Sequence, residues 1–106
     1  MEHDMPREIV VTVTLEDRGD AGLRVWSEAL PGLVLSGPDK HAICDAIAPS
    51  IQAIMEYQGH TVLGVRSSKP LREVVRQPTP RRVDMHIDQL VQVHHEQFVV
   101  ELRDAA

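Results

Sequence analysis

Ile9-Val10-Val11-Thr12-Val13-Thr14-Leu15-Glu16-Asp17, then Arg18-Gly19-Asp20-Ala21-Gly22, then Leu23-Arg24-Val25-Trp26-Ser27-Glu28-Ala29, is the stretch that decides the fold. Ile9, Val11, Val13 and Leu15 share one parity, with Val10, Thr12 and Thr14 on the other. That period of two, with its β-branched content, predicts a strand. The glycines of the following segment allow the positive φ that a tight reversal needs. Leu23, Val25, Ser27 and Ala29 alternate with Arg24, Trp26 and Glu28, so the two runs predict an antiparallel hairpin with one face more apolar than the other.

Leu30-Pro31-Gly32 interrupts the alternation, because proline cannot donate to a central ladder, and Leu33-Val34-Leu35 resumes it as a short third strand. Ser36-Gly37-Pro38-Asp39 is a stop followed by a helix start, with Asp39 placed to accept from first-turn amides. Ile43, Ile47, Ile51, Ile54 and Met55 then recur at spacings of three and four, one apolar stripe to lay on the sheet, and Gly59 is placed to end the helix. Pro49 falls inside it and predicts a kink or two short helices. Thr61 to Val65 is a candidate fourth strand.

The expected class is therefore α+β: a three- to four-stranded antiparallel sheet in the order β-β-β-α-β, with one main helix packed on one face. The C-terminal segment 83–106 admits both a helix and strands. Val83, Ile87, Leu90, Val91, His94 and Phe98 fit a helical stripe, whereas Val91, Val93 and Phe98 to Leu102 favour strands. Strands are the preferred reading, with Phe98 to Leu102 as an edge of the sheet and His94-His95-Glu96-Gln97 as the turn before it.

Composition narrows the class of function. At 106 residues the chain is expected to be a single domain, 1–106, with one modest core. The single Cys44 cannot form an internal disulfide, which excludes a secreted disulfide scaffold and makes a reducing cytoplasm the expected location. Met1 to Pro6 is acidic with no apolar run, so neither a signal peptide nor a membrane anchor is expected. The net charge of −5 is uneven. Residues 1–65 carry four basic and ten acidic side chains, and 83–106 one and five. Between them, 66–82 carries Arg66, Lys69, Arg72, Arg76, Arg81 and Arg82 against Glu73 alone, in a proline-containing connector. Such a split bears on partners rather than on fold.

Residues 9–59 resemble the HicB-like antitoxin domain. The matching positions are Asp17 in an acidic turn, Gly22, the corner Leu30-Pro31-Gly32, Ser36-Gly37 and the helix that begins at Asp39. The resemblance implies a reduced ribonuclease-H-like sheet carrying one helix. It also implies a bacterial-type toxin-antitoxin role, in which the protein neutralises a small basic HicA-type toxin that cleaves messenger RNA by covering its active surface. Ala29 stands where the family often has an acid before Leu-Pro-Gly, and no ribbon-helix-helix or helix-turn-helix segment follows, so operator binding is not implied.

The chemical alternatives are weaker than this binding role. His86, His94 and His95 are metal-ligand types, but His86 and His94 are eight apart on a helix, and neighbouring histidines on a strand point to opposite faces. A two-metal nuclease would use acids such as Glu16, Asp17, Asp45 and Glu56, yet Asp45 and Glu56 lie about 16 Å apart along a helix. The sequence around Cys44 forms no recognisable Cys/His nucleophile motif, and no phosphate-binding or dinucleotide fingerprint is present. No catalysis, cofactor or metal is expected. The expected function is a non-catalytic protein-binding module that also self-associates through its strand edges. Its candidate partner-binding residues are Trp26, Arg24, Glu28, Leu30, Pro31 and Gly32, centred on an aromatic of polar parity among charges. The rival is a nucleic-acid-binding regulator acting through Arg66, Lys69, Arg72, Arg76, Arg81 and Arg82.

Overall fold

The computed structural model describes residues 6–71 and 91–103. These form strands β1 (Pro6–Asp17), β2 (Leu23–Trp26) and β3 (Val34–Gly37), helix α1 (Lys40–Tyr57), and strands β4 (Thr61–Ser67) and β5 (Gln92–Arg103). All five strands belong to one antiparallel sheet of order β3-β2-β1-β5-β4. The α+β class with one main helix is thus what forms, with one strand more than the β-β-β-α-β core. Among the described residues no helix is long and apolar enough to cross a membrane.

The alternation in β1 sorts the sheet into two faces. Val11, Val13 and Leu15 point inward and are buried, while Val10 and Thr12 on the other parity are exposed. The register carries this sorting across the sheet: Val11 lies opposite Phe98, and Leu15 opposite Val25. Ile47, Ile51 and Met55 of α1 close the inner face, with Phe98 only 2% exposed at its centre. Burying such side chains contributes about 1.5–3 kcal/mol each.

Helix α1 starts as its cap residue dictates: the Asp39 carboxylate accepts from the Ala42 amide at 3.1 Å. It stops at Gly59, where Gly59 N donates to Glu56 O and His60 N to Met55 O. Of the two outcomes expected at Pro49, a pair of short helices does not form: the helix runs unbroken from Lys40 to Tyr57. Pro49 is exposed on the side away from the sheet, so the apolar stripe on the other side keeps its packing and holds the helix together.

Four further expectations about strands change. Segment 92–103 is a single twelve-residue strand with no turn at His94-His95-Glu96-Gln97. It is not an edge: β5 pairs with β1 along its whole length on one side and with β4 on the other. Strand β4 reaches Ser67, so the basic connector begins inside a strand, and Leu63 sits at an irregularity between Val62 and Gly64. Strand β2 stops at Trp26, because Ser27 turns its hydroxyl to donate to Thr12 O at 2.7 Å instead of continuing the ladder. Residues 72–90, which include the rest of the connector, lie outside the described residues.

Candidate protein interface

The helix packs on one face of the sheet, among the described residues no element covers the other, and the register places side chains of this open face in rows. Val34 of β3 lies beside Trp26 of β2, Trp26 beside Thr14 of β1, and Thr14 beside His95 of β5. Thr14 Oγ1 and His95 Nδ1 are 3.2 Å apart, a hydrogen bond that ties the centre of this row. The adjoining row runs Ser36, Arg24, Glu16, Val93. Arg24 lies over the Trp26 ring, its guanidinium carbon 5.2 Å from the centroid, a cation–π contact that holds the indole in one orientation. Glu16 accepts from Arg18 Nε at 3.1 Å.

Around the half-buried indole, Val34 is 63% and Val93 52% exposed. An aromatic stacked with an arginine, beside the exposed Val34 and with the exposed Val93 two strands away on the same face, has the composition of an interface centre. The other end of the open face is acidic. Glu8 stands directly opposite Glu101, and Arg66 Nη2 lies 3.5 Å from Glu8 Oε2. Thr14 and Glu8 are six residues apart on β1, so the two ends are separated by about 20 Å.

The residues singled out in the sequence separate into groups. Trp26 and Arg24 meet on the open face. Glu28, Pro31 and Gly32 lie exposed in the corner between β2 and β3. Leu30 is only 4% exposed and packs in the core, so its side chain offers nothing to a partner. Of the six cations of the rival set, Arg66 pairs with Glu8 and Lys69 Nζ lies 3.7 Å from Glu96. Arg72, Arg76, Arg81 and Arg82 lie outside the described residues.

The acids do not converge. Glu16 is on the open face and Asp17 on the inner one, where Asp17 Oδ1 accepts from Lys40 Nζ at 2.8 Å and from the Gly19 amide at 3.0 Å. Asp45 and Glu56 are exposed on α1, and Gln52 Nε2 donates to Glu56 at 3.1 Å. His94 and His95 point to opposite faces of β5, with His94 Nε2 buried and unbonded among the described residues; His86 lies outside them. Among the described residues no three histidines, cysteines or carboxylates come together as a metal site. The buried Cys44 borders a depression of about 360 Å³ between α1 and β4, together with Val65, Leu71 and Phe98.

Comparison with protein-family models, with curated proteins and with solved structures gives no match for this chain. Val34, Val93 and His95 escape a reading of the sequence because they join Trp26 only through the registers of three strand pairs. The single local signal was the parity of Trp26 itself.

Proposed function

We propose that this chain is a non-catalytic protein-binding module that docks a small basic protein on the open face of its sheet, in the manner of a HicB-like antitoxin neutralising a HicA-type toxin. The observation that carries the reading is the Trp26–Arg24 stack between exposed Val34 and Val93 on a face that α1 leaves bare. Two further features support a basic partner. The chain carries a net charge of −5, which speeds encounter with a cationic surface. In addition, Glu8 and Glu101 face each other across β1 and β5 with Arg66 paired to Glu8, two carboxylates to one guanidinium, which leaves acidic charge there for a basic partner to meet. The finer ribonuclease-H-like reading of the fold draws on the β1-β2-β3 meander followed directly by α1. The position of β5 between β1 and β4 is the element that reading has to accommodate.

A nucleic-acid role draws less support. Arg66 and Lys69 each face a carboxylate, which lowers the local positive potential, and the open face offers one aromatic where base stacking uses several. The test is capture from cells of the source with the tagged full chain, followed by mass identification and a nuclease-treated control. A small basic protein retained after nuclease treatment supports the reading. Retention of nucleic acid alone, lost on replacing Arg66, Lys69, Arg72, Arg76, Arg81 and Arg82 by alanine, overturns it in favour of the rival.

A further inference from the structure

Strand β1 is twelve residues long, and β5 pairs with all of it on one side. On the other side β2 pairs only with Thr14 to Asp17. The hydrogen-bonding direction of each β1 residue follows from two contacts on the β2 side: Arg18 N donates to Gly22 O at 2.8 Å, and Thr12 O accepts from Ser27 Oγ at 2.7 Å. Even-numbered residues therefore turn their backbone N–H and C=O toward β2, and odd-numbered residues turn theirs toward β5. Beyond Thr14 this leaves the backbone groups of Pro6, Glu8, Val10 and Thr12 along an edge to which no other strand pairs among the described residues. Such an edge is a template for another strand.

The edge is self-complementary. Pro6 has no N–H, and Thr12 has a carbonyl already occupied by Ser27, so the two ends of the open stretch each lack one group. The stretch 6–12 is centred on Ile9. If a second copy lies antiparallel about a two-fold axis at Ile9, Glu8 of each copy pairs with Val10 of the other, and Pro6 with Thr12. Each Glu8 N–H then meets a Val10 carbonyl, each Val10 N–H a Glu8 carbonyl, and each Thr12 N–H a Pro6 carbonyl. The occupied Thr12 carbonyl falls opposite the residue that has no proton to give. Shifting the axis to Val10 instead directs a Glu8 N–H at the occupied Thr12 carbonyl.

The side chains agree with this register. On the inner face the half-buried Ile9 of one copy meets Ile9 of the other and extends the core, while on the open face Val10, 55% exposed, gains a neighbour in the aliphatic stem of Glu8. The two β2 strands lie at opposite ends of the junction, because β2 begins to pair only at Thr14, beyond the last bonded residue.

We propose that the protein forms a symmetric dimer in which two β1 edges pair antiparallel about Ile9, leaving the Trp26 region of each copy uncovered. The test combines sedimentation of the full chain over a dilution series with residue-resolved hydrogen exchange. Expected is a reversible monomer–dimer equilibrium in which the Glu8, Val10 and Thr12 amides become protected as the dimer forms, while Ile9, Val11 and Val13, bonded to β5, are protected throughout. Val10→Pro removes an N–H that points away from β5, so it should abolish the dimer and halve the mass with circular dichroism unchanged. A wild-type protein that stays monomeric at the highest concentration overturns the proposal. So does a dimer in which these three amides exchange as fast as in the monomer, or one that Val10→Pro leaves intact. Partner capture through Trp26 is read separately and is independent of either result.

Discussion

Replacing Gly22 by alanine should be among the most damaging single-methyl changes in this protein. Gly22 has φ 107° and ψ −156°, a region that residues with a Cβ essentially do not occupy. Forcing alanine there costs about 1–3 kcal/mol of backbone strain alone. The added Cβ would also overlap the carbonyl oxygen of Gly37 and come within 2.9 Å of Pro38 Cα, both backbone atoms that cannot swing aside. Gly37 is the β3 partner of Leu23, so relief requires β3 to part from β2 at the turn into α1. A total of about 3–5 kcal/mol is expected from strain and overlap together. For a domain of this size that is a fall in melting temperature of about 15 °C or more. Gly32 supplies the control, since its φ of 102° is also positive but a Cβ there meets nothing within 4 Å. Gly32→Ala should cost about 1–2 kcal/mol of strain and no overlap. Chemical denaturation of the two variants, read by circular dichroism, separates the terms. Equal losses, or a Gly22→Ala protein within about 1 kcal/mol of wild type, would refute the assigned packing of the turn against β3.

Two other substitutions probe the frame that holds the open face. Phe98→Ala removes the central side chain of β5, buried between β1 and α1, and should cost about 3–5 kcal/mol in denaturant unfolding; a loss under about 1 kcal/mol would mean that β5 is not inserted between β1 and β4. Lys40→Ala leaves Asp17, 5% exposed, with the Gly19 amide alone as partner among the described residues, and should cost about 1–3 kcal/mol. The companion Asp17→Asn variant should lose less when combined with Lys40→Ala than the two single losses together, a coupling that a double-mutant cycle measures directly.

What was legible in the sequence was local. The parity of Ile9 to Leu15, the Leu30-Pro31-Gly32 corner and the stripe from Ile43 to Met55 each specify an element through its own residues, and those elements form close to where the pattern puts them. Strand order was not legible. β5 inserts beside β1 through pairs such as Val11 and Phe98, 87 positions apart, and nothing in either segment's composition announces its neighbour. The turn expected at His94 to Gln97 rested on a change of pattern with no glycine, proline, asparagine or aspartate to make it, and the strand simply continues. Pro49 does not split the helix, because its cost is local and fixed, while the stripe on the opposite side of α1 packs along the whole helix. The interface centre was half legible. Trp26 announced itself by parity, but that Val34 lies beside it and that Val93 and His95 share its face follows only once three registers are known, and Leu30, in the corner, is consumed by the core.

The central claim is that the open sheet face around Trp26 binds a protein. Its most direct measurement is the affinity of the captured partner for the wild-type chain and for Trp26→Ala, by calorimetry, with circular dichroism and melting recorded on the same samples. Loss of an interface-centre aromatic should cost at least about 2 kcal/mol, a weakening of about 30-fold or more, while the variant keeps its fold. A folded Trp26→Ala protein that binds the partner as tightly as wild type would contradict the account.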